Sequence, residues 1–181
     1  MDKNEIEENL KGHGDYVKID YLTSYLRNSD LDLDTRRFVL IRLAGIYEIR
    51  RMFCEAGRLI RSAAEINSTD QNKINDYIKS GELFIKAGKF DEGDVSFNKA
   101  FGLCTNEKQI DEIKISRNEF YKIQAVVYLT KDKRKHAVDT YERVLTYDLS
   151  FEDRKKIQKD LLELYEKLGK IKEYYALKRM F

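Results

Sequence analysis

The sequence contains no proline and no tryptophan, and only two histidines and two cysteines in 181 residues. Zero proline with nine glycines argues against a sandwich or barrel, whose many tight turns draw on both residues. No run of 18 apolar residues exists, which excludes a membrane-spanning helix. The start, Met1 to Glu5, is polar and acidic and does not resemble a secretory signal. Cys54 and Cys104 stand 50 positions apart inside helical patterns and read as buried free thiols of a reducing compartment, so a cytoplasmic protein is expected. His13 and His136 cannot make a metal site, because three or four ligands must converge. Phosphate-loop and nucleophile-elbow patterns are missing, and Gly12-x-Gly14 lacks both a preceding strand and a third glycine. Asp30, Asp32 and Asp34 have the spacing of three calcium ligands. Thr35 and Ile41, however, occupy the places of the required glycine and glutamate, so the acidic start of a helix is the better reading. These absences predict no catalytic residue, no metal and no cofactor.

Charge is nearly balanced, 34 basic against 32 acidic residues, where a dedicated nucleic-acid binder shows an excess or a stripe. The densest basic stretch, Lys131 to Lys135, is interrupted by Asp132 and reads as a solvated turn. Apolar content of 42% beside 36% charge fits a helical stack with a large surface for its volume. The length fits one domain or a short array, able to bury roughly 70% of its unfolded surface.

What is present is a repeated figure of small and aromatic residues. In Gly81-x-x-Phe84-x-x-x-Gly88-x-Phe90-x-x-Gly93-x-x-x-Phe97-x-x-Ala100, small residues stand where a neighbouring helix must approach and large ones where a gap must be filled. Gly88 falls between two apolar stripes, where a helix stops and turns back. The figure recurs as Ala44-x-x-Tyr47 with Ala56-x-x-x-Ile60-x-x-Ala63, and as Ala125-x-x-Tyr128 with Ala137-x-x-x-Tyr141-x-x-Val144. A degraded copy runs from Leu162 through Tyr165 and Gly169 to Tyr174 and Lys178. Matched positions 56, 93, 137 and 174 are spaced by 37, 44 and 37 residues, a period that marks stacked repeats.

These hairpins resemble the tetratricopeptide repeat. The central unit carries the family's small and aromatic positions as Gly81, Phe84, Gly93, Phe97 and Ala100, with Gly88 at the turn. Leu40, Tyr77 and Tyr121 replace a frequent tryptophan, and the frequent proline is missing throughout. Two spacings exceed the family's ~34 residues, with Glu107 to Asn118 reading as extra helix. The resemblance covers about residues 35 to 181. It implies an all-α fold, a right-handed superhelical α-solenoid of antiparallel hairpins with about 8–9 helices in all. The expected single domain, 1–181, has N-terminal helices in 1–33 and hairpins over 34–67, 70–104, 107–148 and 151–181. Helix starts are expected at Asp15, at Asp34 or Thr35, at Ser68 with Gln71, at Asn106 with Gln109, and at Ser150 with Asp153; Asn28-Ser29-Asp30 ends the second helix.

The resemblance also implies a concave groove lined by the first helix of each hairpin. Ile41, Glu48, Ile78, Glu82, Ile85, Lys86, Lys122 and Val126 fall at groove positions, an apolar floor with charges of both signs. Such a groove takes an amphipathic helix or extended segment of another protein, unless the chain's own N-terminal helices fill it. Ile41 and Gly45 stand where a carboxylate clamp for chaperone tails would need lysine and asparagine, which argues against that type of receptor. Tyr174, Tyr175, Leu177, Met180 and Phe181 leave apolar groups on the last helix and suggest a partner or homodimer contact. The expected function is therefore a non-catalytic interaction module, an adaptor or scaffold. The alternatives are an RNA-binding repeat protein using the 131–135 turn, or a regulatory subunit or adaptor of a larger complex such as membrane-fusion machinery.

Overall fold

A computed structural model describes residues 3–27 and 30–180, and all regular structure among them is helical. Asn28, Ser29 and Phe181 lie outside the described residues. Ten helices follow in order, where 8–9 are expected: α1 (Lys3–Leu10), α2 (Asp15–Leu26), α3 (Leu33–Ile49), α4 (Phe53–Glu65), α5 (Asp70–Lys86), α6 (Phe90–Phe101), α7 (Glu107–Thr130), α8 (Arg134–Leu145), α9 (Phe151–Lys167) and α10 (Ile171–Lys178). The tenth is α1, which the sequence reads as a short acidic helix at best. Its polar sequence looks marginal alone, but Ile6 and Leu10 are buried against Leu22, Val39 and Leu43, so packing rather than propensity forms it.

Four hairpins share one turn. Arg51, Gly88, Asp132 and Gly169 all adopt positive φ, between 52° and 71°. In each case the next amide donates to an aromatic residue's carbonyl five residues back: Met52 to Tyr47, Lys89 to Phe84, Lys133 to Tyr128 and Lys170 to Tyr165, at 2.8–2.9 Å. This is the Schellman closure that satisfies the last carbonyls of a helix. The turn residues are themselves 37, 44 and 37 positions apart. Helices α3, α5 and α9 each have 17 residues, while α7 has 24. The longer spacing is thus a seven-residue extension of α7, inside the stretch Glu107 to Asn118 that the sequence reads as extra helix.

The contacts divide the chain into two compact units, Met1–Ile113 and Lys114–Phe181, with the boundary inside α7. In the first unit, small residues seat aromatic rings. Gly57 lies against the Phe84 ring, and Gly81 against the Phe97 ring. Gly93 sits over the Gly81 carbonyl and Ile85. Phe84, Phe97 and Ala100 are completely buried. Two buried hydroxyls bridge the same layer: Ser80 donates to the Gly57 carbonyl at 2.9 Å and meets Ser96 at 3.1 Å. In the second unit, Tyr121, Ala125, Ala137, Val138, Val144, Ile157 and Leu161 form the interior. Arg154 donates to the carbonyls of Leu145 and Tyr147, tying the start of α9 to the end of α8.

All six small positions of the repeated figure, 44, 56, 81, 93, 125 and 137, are buried. Tyr128, expected in the core, is only half-buried and stacks on exposed His136 with centroids 5.2 Å apart. The cysteines are free but half-buried rather than buried. The caps are mixed. Asn106 and Ser150 accept from Gln109 and Asp153 as expected. Asp32, not Asp34 or Thr35, caps α3, accepting from the Thr35 amide at 2.8 Å. Gly14, not Asp15, precedes α2, and the Ser68–Gln71 pairing does not form, since Gln71 bonds Asn75 and Gln109 instead.

A methyl group on Gly81 would stand 2.6 Å from a carbon of the buried Phe97 ring. Gly81→Ala should therefore destabilise the protein by about 1–3 kcal/mol in urea unfolding. The penalty should shrink in a Phe97→Leu background; full additivity of the two substitutions would show that the ring is not what excludes the methyl.

Candidate functional site

The residues expected to line one groove fall in both units, six in the first and two in the second. In the first unit, Glu48 on α3 and Glu82 and Lys86 on α5 do come together. Lys79, which the repeat pattern did not single out, completes the cluster. Its ammonium donates to Glu48 at 2.8 Å and to Glu82 at 3.2 Å. Lys86 pairs with Glu82, lies 3.8 Å from Glu48, and sits over the Phe53 ring. Burial alone would raise the Glu82 carboxyl, but the hydrogen bond from Lys86 and the charges of both lysines outweigh it and hold it below its ordinary value. Burial likewise opposes the charge on Lys79, and the hydrogen bond and charge of Glu48 with those of Glu82 reverse the effect, raising it. The cluster is self-neutralised: each carboxylate already has a lysine.

The apolar groove residues of this unit behave differently from expectation. Ile85 is 0% exposed and faces Gly93 on α6, so it belongs to the hairpin interior and cannot line a groove. The physical reason is the glycine itself: a residue without a side chain on α6 draws in the nearest branched chain from α5. Ile41 is half-buried against the Ala44, Ala56, Ile60 and Leu83 cluster, and Ile78 is also half-buried.

In the second unit, Lys122 and Val126 lie in a cleft of about 360 Å³ between α7, α8 and α9. Its lining combines the apolar side chains Ile123, Val126, Val127 and Ile157 with the charges of Glu119, Lys122, Asp153, Lys156 and Asp160 and with the buried Tyr141. Ile123 and Val126 are 56% and 51% exposed, although they stand in the middle of a helix. Lys122 pairs with Glu119 and, at 3.0 Å, with Asp153. The hydrogen bond from Lys122 holds Asp153 low, against its burial. Burial pushes Tyr141 up to about 12, with the Asp160 charge adding to it. Burial also raises the Asp160 carboxyl, with Glu163 adding and Lys156, the Tyr141 hydroxyl and Lys159 opposing. Asp153, Lys156 and Asp160 were not anticipated, yet their spacing of three and four residues beside Ile157, Leu161 and Leu164 puts a charged stripe along one edge of α9.

At the end of the chain, helix α10 has no buried side chain. Tyr174 and Tyr175 meet edge to face, Leu177 is half-buried, and Lys178 lies over the Tyr174 ring. Met180, 76% exposed, shares a shallow cleft with Phe151, 79% exposed, and Arg154. The five-residue basic turn is wholly exposed, with Arg134 paired to Asp132 at 2.9 Å. Among the described residues no group of three or more potential metal ligands converges, and no helix is long and apolar enough to cross a membrane.

Comparison by sequence finds no matching family model and no matching curated protein. Among solved structures, BtubC (BKLC) from P. vanneervenii aligns over 95% of this chain and 73% of its own, at 15% identity and a TM-score of 0.41. A likeness that weak carries no argument about fold or function and lends the tetratricopeptide resemblance no support.

The charge cluster of the first unit has a definite pH signature. Glu82 has a lowered carboxyl, so its stabilisation is complete above the ordinary carboxylate range and is lost as pH falls through its depressed value. Glu82→Gln should cost about 1 kcal/mol at pH 7, and the difference from wild type should close on acidification below about pH 4. Urea unfolding of both proteins from pH 3 to 8 measures this; a difference independent of pH would show that the loss is one of packing.

Proposed function

We propose that this chain is a non-catalytic protein-interaction module, a tetratricopeptide-like adaptor or scaffold of the cytoplasm whose hairpins stack as a right-handed array. The common turn at 37-, 44- and 37-residue spacing and the six buried small positions support the repeat reading. The observation that carries the function is the cleft of the second unit. Ile123 and Val126 expose branched apolar chains beside charged neighbours, the composition that receives a helix or extended segment of another protein. The lysines and carboxylates of the first unit neutralise one another, so that surface offers a partner less.

A photocrosslinking amino acid placed at Ile123, in the full chain expressed in its native host, should join a discrete partner protein. The same group at Val95, which is exposed on α6, should not. Val126→Asp should abolish the Ile123 product while leaving the circular dichroism melt within a few degrees of wild type. Equal crosslinking from both positions, or survival of the product in Val126→Asp, would place the interaction elsewhere.

A second reading is favoured by one observation: Phe151, Tyr175 and Met180 together expose large apolar surface near α10. A homodimer through this end would cover it. Light scattering at rising concentration should then show a mass approaching twice 21.4 kDa that falls back when Phe151 and Met180 are both changed to Ser. A constant monomer mass at all concentrations removes the dimer.

A further inference from the structure

The charges around the cleft of the second unit are not equivalent. Lys122 already serves two carboxylates, Glu119 and Asp153. Lys156 is exposed, so its ammonium is solvated and has little to gain from a partner. Asp160 differs from all of these. It is half-buried, and its one hydrogen bond is a long one, 3.5 Å from the Tyr141 hydroxyl. It forms no direct ion pair among the described residues; Lys156, in the same cleft, and Lys159 draw its carboxyl down at longer range, though less than burial raises it. Glu163, one turn along α9, adds negative charge rather than relief. A carboxylate partly withdrawn from water attracts an incoming cation more strongly than one on an open surface, because the effective dielectric is lower and part of the desolvation cost has already been met. The same cleft is lined by the apolar side chains of Ile123, Val126, Val127 and Ile157. At about 360 Å³ the cleft is at the small end of ligand sites, suited to one or two side chains of a segment rather than to a large cofactor.

We propose that this cleft reads a peptide segment carrying an apolar side chain next to an arginine or lysine, with the apolar group on Ile123 and Val126 and the cation on Asp160 and the Tyr141 oxygen. The proposal rests on the interaction-module reading and deepens it by naming the partner's chemistry. Asp160 then acts as a specificity residue. Its stability behaviour fits that role. The folded carboxyl is raised, so the folded chain holds its proton more tightly than the unfolded one, and folding stability falls as pH rises through that value.

Panning a phage-displayed library of random 12-residue peptides on the full chain tests this, with Val126→Asp as the parallel target. Enriched peptides should pair Arg or Lys with Leu, Ile or Phe. Binding of a synthesised member, followed by fluorescence anisotropy, should weaken at least about tenfold in Asp160→Asn. The same peptide with citrulline in place of arginine should bind wild type about as weakly as the arginine peptide binds Asp160→Asn, and should not distinguish the two proteins. Asp160→Asn should also melt no lower than wild type at pH 7. Enriched peptides that are acidic, or that bind Asp160→Asn undiminished, overturn the charge assignment and leave the interaction module standing. Enrichment no greater on wild type than on Val126→Asp overturns both. On wild type alone, undiminished binding of the citrulline peptide relative to the arginine peptide overturns the need for a cation, even should the variant fold poorly.

Discussion

Two helices can approach only as closely as the side chains between them allow, and in this protein the allowance is made by residues that have almost none. Gly57 admits the Phe84 ring, Gly81 admits the Phe97 ring, and Gly93 sits over the backbone of α5. Each contact spends a small residue on one helix to bury a ring on the next, so the rings become shared property of neighbouring helices. A lone helix of this chain would expose its aromatics. A lone hairpin would still expose one face. The fold is therefore held by interfaces between successive helices, and the buried serines Ser80 and Ser96 link the same layer without leaving a polar group unpaired.

The second constraint is the turn. A residue in the left-handed region lets the chain reverse within three positions and closes the open carbonyls of the preceding helix. Gly88 and Gly169 adopt that region freely. Arg51 and Asp132 adopt it against their side chains, at a cost of about 1 kcal/mol each. The same closing bond forms in all four cases, so the cost is offset by the hairpin geometry it permits. The extension in α7 respects this geometry as well. It adds seven residues, Glu107 to Ile113, and seven residues return a helix to nearly the same face, within about 20°. Ile113 is buried, and Gln109 reaches Gln71 at 3.4 Å, so the added turns belong to the first unit.

How much of this could be read in advance depended on whether a feature is local. The hairpins, their turns at Gly88 and Gly169, and the long α7 were legible because glycine and apolar spacing act within a few residues. Arg51 and Asp132 take the same turn with no such signal of their own, since neither side chain favours positive φ. The helix α1 was underestimated because its stability lies in Ile6 and Leu10 meeting Val39 and Leu43 about thirty residues away. The capping pair Ser68 and Gln71 had the right spacing, but Gln71 found better partners on other turns. Ile85 shows the limit most clearly. Repeat position assigned it to an open wall, and the missing side chain of Gly93 drew it inside. Lys79 was invisible for the converse reason: its role is defined by Glu48, 31 residues away.

The two charged surfaces differ in whether the fold supplies its own counter-charge. Around Glu48, Lys79, Glu82 and Lys86 every charge meets its opposite within one helix pair, and the carboxyl of Glu82 is held low in consequence. Such a cluster orients α3 against α5 and asks nothing of a partner. Around Asp160 the balance is reversed: burial outweighs the neighbouring lysines, and the carboxyl is held high. Both clusters contain lysines and acids in similar number, so composition does not separate them. What separates them is whether the chain supplies the counter-charge at bonding distance, and that is a property of three-dimensional placement along α7 and α9 rather than of any motif. In this chain exposed apolar groups adjoin a half-buried carboxylate that burial, more than its neighbouring lysines, controls, and Val126 and Asp160 bring the two together within a single cleft, which is what the proposed recognition rests on.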